Sequence, residues 1–201
     1  MAHGMRWRIL ILQVGLIGIF SFVAGFLFWA NSFSHNQVHD QLAQQQIFFP
    51  QADSKGFTAA EFPTLQQYGG QQLLTGEQAQ AYANDYIGAH LQGVAGGQTY
   101  SQVSAQFIAA SADPSTPAAT LTKLSAQRQT LFMGETLRGL LLNAYGWWQV
   151  GQYALYAAIG MVIAAGAVLV ALFFELYSVA IARRTEKATA GSRIGGAVSA
   201  H

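Results

Sequence analysis

His35, His39 and Asp40 form the sharpest cluster of chemically able side chains in the sequence. Two histidines at i and i+4 lie on one face of a helix. There they can share an ion, and neutral imidazole suits zinc or copper. His90, on a separate segment, would complete a three-histidine site if that segment packed alongside. The competing reading is a solvated polar turn: two histidines at this spacing arise often by chance, and Asp40 points partly off their face. Glu175 is the one charge in a long apolar run, and Arg183 and Arg184 follow it by about two turns, so a snorkelling or paired carboxylate is expected there. Glu135 and Arg138 stand one helical turn apart and read as a local ion pair.

No GxSxG, HExxH, phosphate-binding loop or glycine-rich dinucleotide turn occurs in the sequence. There is no cysteine, which removes disulfides, thiolate catalysis and Cys-ligated metals. A net charge of +1 gives no case for nucleic acid as a partner. The expectation is a protein that is not an enzyme and has no cofactor beyond the zinc or copper that His35, His39 and His90 would hold.

Two apolar runs must position these residues. The stretch from Tyr153 to Tyr177 carries one charge, and Ile9 to Ala30 carries none. About 20 apolar residues make an α-helix long enough to cross a bilayer core, and a lone span inside lipid must be helical because its backbone polar groups have no other partners. Hydrophobic residues make up 52% of the chain and charged residues 9%, far below the charge of an ordinary soluble domain. The first run is longer than a secretory signal core and lacks a small residue at position −3 of its exit, so it reads as an uncleaved anchor.

The expected organisation is a cytoplasmic N-terminus at 1–8, a transmembrane helix at 9–30, an extracytoplasmic helical domain at 31–150, a second transmembrane helix at 151–181 and a cytoplasmic tail at 182–201. Arg6 and Arg8 precede the first span, and Arg183, Arg184, Lys187 and Arg193 follow the second. The positive-inside rule therefore puts both termini in the cytoplasm. Trp7, Trp29, Trp147, Trp148, Tyr153 and Tyr177 flank the spans as interfacial aromatics do.

The first helix is expected to run past its span to about Gln45, about 60 Å in all, and to end at Phe48-Phe49-Pro50. A loop over 51–70 follows, whose Phe57, Phe62 and Tyr68 suit packing onto something. Thr75 and Gln78 have the spacing of a capping box, with a helix to about Gln92 carrying Ala79, Tyr82, Ala83, Tyr86, Ile87 and His90 on one side. A short helix over Tyr100–Ala110 would turn Val103, Phe107 and Ile108 inward. After a turn at Asp113–Pro117, a last helix would run from near Ala118 into the second span, with Gly134, Gly139, Gly146 and Gly151 bending it. Composition marks the tail from Thr185 as flexible.

Small residues let membrane helices approach closely. Ser21 and Gly25 form a small-xxx-small pair on the first span. On the second, Ala154, Ala158 and Ala165 mark one face, and Gly160, Ala164, Ala167 and Ala171 mark another. Two spans in one chain need one such face for each other, so the second suggests another copy or another protein.

Several strings carry a resemblance: Gln41-Leu42 with Ile47-Phe48-Phe49-Pro50, Tyr68-Gly69-Gly70, Thr75 to Ala79, Tyr82 to Ile87 with His90-Leu91, Gly96 to Ser101, and Gln129 to Leu142. Together they resemble a family of actinobacterial-type two-span membrane proteins with a helical extracytoplasmic domain. The resemblance covers roughly half the chain. It implies an all-α fold in a bacterial inner membrane, and it brings no catalytic residues. The functional expectation is an accessory or scaffolding subunit of a membrane complex, such as a membrane enzyme or respiratory-type assembly, or a homo-oligomer. Its partners would be the lipid bilayer and other membrane subunits or copies of itself. Metal delivery, ligand sensing and a small channel component are the alternatives.

Overall fold

The computed structural model describes residues 2–198, and every regular element among them is helical. Helix α1 spans Ala2–Gln45. It stops where Gln46 takes a left-handed backbone at φ 51°, the position at which helices end most often. Helices α2 (Gly76–Ala81) and α3 (Gly88–Val94) are joined by a π-helical turn, Tyr82–Ile87. Helix α4 is Tyr100–Ala112 and α5 is Ala118–Val198. The boundaries expected at Gln45, Thr75 and Ala118 are met. The Thr75 hydroxyl accepts from the Gln78 backbone N–H, and the Gln78 side chain accepts in return from the Thr75 N–H. The same reciprocal cap, Thr99 with Gln102, starts α4 and escaped sequence reading.

The backbone of α5 continues as helix to Val198, where a flexible tail was expected. No proline interrupts this alanine-containing stretch. The last three residues of the tail at 182–201 lie outside the described residues.

The chain forms two compact units, Met1–Trp29 with Ala154–His201, and Ala30–Tyr153. The first unit contains the two apolar stretches, and both helices are long and apolar enough to cross a membrane. Only 6% of the most apolar window of each is buried, unlike the core helix of a soluble domain. In α1 the covered residues are Leu10, Gln13, Leu16, Ile17, Phe20, Val23, Ala24 and Leu27. In α5 they include Leu155, Ala158, Met161, Ala165, Val168, Leu172, Glu175 and Val179. Steps of three and four residues make one stripe along each helix, the pattern that paired helices bury against each other. Ala24 and Ala158 are its most buried members.

The second unit has its own core. Val38 and Leu42 of α1, Leu141 of α5, and Ala79 and Ala83 enclose Phe49, Phe57, Leu65 and Leu73 from the connecting segment. That segment is tied down by its backbone: Phe49 N–H donates to Gln71, Leu73 N–H to Ile47 and Gly70 N–H to Pro50. The loop over 51–70 is therefore packed, as its aromatics suggested. A smaller cluster joins Leu91, Val103 and Leu131. Ile108, expected inward, is 63% exposed. The inward stripe of α4 is Val103, Phe107 and Ala110, and the residue after Phe107 falls about 100° around the helix from it.

Candidate functional site

The three histidines proposed as ligands have separate neighbours. His35 lies on α1 and stacks on Trp148 of α5, and its Nε2–H donates to the Trp148 carbonyl at 3.2 Å. His39 is exposed and pairs with Asp40 at 3.2 Å. His90 lies parallel to Phe62 and tilted against Tyr86, and its Nδ1–H donates to the Tyr86 carbonyl at 2.8 Å. Among the described residues no three His, Cys, Asp or Glu side chains gather around a common point.

The polar contacts of the second unit converge instead on Trp148 and Arg138. Trp148 takes the His35 ring on one face and donates from Nε1 to Glu77 Oε1 at 2.5 Å. Gly76 lies so close that a Cβ there would stand 2.3 Å from Trp148 Cβ. A Cβ at Gly151 would likewise stand 2.8 Å from His35 Cδ2, and one at Gly134 2.4 Å from Leu91 Cδ2. These glycines of α5, expected to bend the helix, permit close approach. α1 is pinned by Asn31 Nδ2–H to the Gly151 carbonyl at 2.9 Å and by Ser34 Oγ–H to the Trp147 carbonyl at 2.5 Å.

Arg138 forms the expected ion pair with Glu135 at 3.0 Å, and it does more. Its Nε–H donates to the Ala83 carbonyl at 3.0 Å and its second terminal nitrogen to Asn84 Oδ1 at 3.3 Å. Ala83 also accepts the Gly88 N–H, five residues ahead, which is the bond that defines the π-turn. One guanidinium thus clamps the turn from α5. Beside it, Asn84, Gln92, Gln98, Glu135 and Arg138 line a polar recess of about 350 Å³. No signal in the sequence marks this π-turn, since its single extra residue leaves the apolar pattern readable as an ordinary helix.

Rings crowd the other side of the turn. Tyr82 packs edge-on to Phe49 at 5.0 Å and Tyr86 edge-on to Phe57 at 5.6 Å. Burial pushes the Tyr82 phenol above its ordinary value, and the neighbouring Tyr86 adds to the shift.

In the first unit the small residues divide into two sets. Ala158 is fully buried and Ala154 and Ala165 are partly covered. Ser21, Gly25, Gly160, Ala167 and Ala171 are exposed, and Ala164 is half-covered. A Cβ built at Gly15, Gly18, Gly25, Gly160 or Gly166 meets no atom within 4 Å. Arg6, Glu175 and Ser178 line one recess of about 400 Å³ with Phe174 and Val179.

No family profile, curated protein or solved structure matches this chain.

Proposed function

We propose that this chain is a non-catalytic integral membrane protein that serves as an accessory or scaffolding subunit, or as one copy of a homo-oligomer. Residues 9–30 and 151–181 would cross a bacterial inner membrane, with 31–150 outside and both termini in the cytoplasm. One observation carries the reading. The two apolar helices meet along the stripe that buries Ala24 and Ala158, while Ser21, Gly25, Gly160, Ala167 and Ala171 stay uncovered. Small residues at a lipid-facing position gain nothing from lipid, but they permit tight packing of a further helix.

The test is native mass spectrometry of the full chain extracted from its own membranes in mild detergent. A multiple of the chain mass supports a homo-oligomer. Stoichiometric companions support an accessory subunit. A bare monomer at every detergent concentration sinks the proposal.

A ligand-sensing role for residues 31–150 is the second reading. It draws on the polar recess beside the Arg138-clamped turn, since π-turns occur often at functional sites.

A further inference from the structure

Glu175 is a carboxylate on the covered stripe of an apolar helix, half-buried between Leu172 and Val179. Both ion pairs among the described residues lie elsewhere, at His39–Asp40 and Glu135–Arg138. Among the described residues Glu175 makes no hydrogen bond either. A charge held against apolar surroundings without a counter-charge is costly, and such groups in membrane helices are functional candidates. Arg6 lines the same recess and has no ion pair among the described residues either, so cation and anion face one space without closing on each other. Ser178 has spent its proton on the Phe174 carbonyl at 2.8 Å, which leaves its oxygen free to accept. Glu175 and Ser178 stand one turn apart on α5, so their acceptors share a face. The recess thus offers a guanidinium donor on one side and two acceptors on the other, with Phe174 and Val179 as apolar wall.

We propose that this recess binds the phosphoethanolamine headgroup of a membrane lipid. The phosphodiester sits on the Arg6 guanidinium, a pairing that charge-assisted hydrogen bonds favour. The primary ammonium donates to the Glu175 carboxylate and to Ser178 Oγ. A choline headgroup has no N–H to donate, and an anionic glycerol headgroup leaves Glu175 without a cation. The inference rests on the membrane reading above.

The test uses the full chain in bilayer nanodiscs of equimolar phosphatidylethanolamine, phosphatidylcholine and phosphatidylglycerol with identical acyl chains. Retained lipids are counted by native mass spectrometry after release. Phosphatidylethanolamine is expected to be retained over each of the others by about threefold to fivefold, the scale of one partly exposed ion pair. Glu175→Gln should bring it down to the phosphatidylcholine level, and Arg6→Gln should lower retention of all three. Equal retention by a membrane-embedded wild-type chain, or an unchanged preference in Glu175→Gln, overturns this inference alone. A chain that alkaline washing strips from its membranes overturns the membrane reading and this inference together.

Discussion

The imidazole of His35 lies flat against the indole of Trp148, with ring centroids 3.8 Å apart and planes within 10°. One tryptophan therefore joins α1 to α5 through its face and joins α5 to the start of α2 through its N–H to Glu77. Trp148→Ala should lower stability by about 2–4 kcal/mol, somewhat under a fully buried ring because Trp148 is half-covered. Trp148→Phe keeps a ring against His35 and loses the Glu77 bond, so about 1–2 kcal/mol is expected. Thermal unfolding followed by circular dichroism checks both, and equal losses for the two variants would refute the dual role.

Glycine positions give opposite signs. Gly76 is buried against the root of Trp148, which cannot swing aside. Gly76→Ala should cost about 1–3 kcal/mol through overpacking. Gly139 sits inside α5 with nothing within 4 Å of a built Cβ. Gly139→Ala should stabilise by about 0.5–1 kcal/mol, because alanine loses less backbone freedom in a helix. Melting temperatures of the two variants moving in the same direction would contradict this.

Arg138 holds the π-turn through a fork that lysine lacks. Arg138→Lys and Arg138→Ala should both speed hydrogen exchange at the Gly88 amide, the donor of the π-type bond to Ala83. The alanine variant should lose about 1.5–3 kcal/mol, the scale of hydrogen bonds to a charged group. Unaltered Gly88 exchange in both variants would mean that the turn stands without the clamp.

The raised Tyr82 pKa makes stability fall at alkaline pH. The folded chain holds the phenol proton more tightly than the unfolded one. This contribution is fully present below the unfolded value of 10.0 and is lost as pH rises through the higher folded value. Tyr82→Phe should flatten the decline of melting temperature as pH rises above 10.0. A decline as steep as in the wild type would assign it to other groups.

What was readable in the sequence follows periodicity and capping. The apolar runs and the Thr75–Gln78 box are local patterns, and the structure makes long helices of the runs and a reciprocal cap of the box. The partners of His35 were not readable. It meets Trp148 across 113 positions, and i, i+4 spacing with His39 says nothing of what stands opposite. Arg138 was half-readable: Glu135 lies one turn away, while Ala83 and Asn84 come through packing. The close approaches at Gly134 and Gly151 were unreadable for the same reason, since only the neighbour opposite, Leu91 or His35, reveals them.

Asn31, Ser34 and His35 each donate to a main-chain carbonyl of α5, at Gly151, Trp147 and Trp148. Such bonds weaken steeply with small displacements, and the next equivalent carbonyls lie a whole turn, about 5.4 Å, away. Gradual sliding of this part of α1 along α5 would break all of them before any could re-form. The pairing is therefore indexed like a ratchet. Any signal that shifted one helix along the other would have to move it by a full notch or leave it where it is.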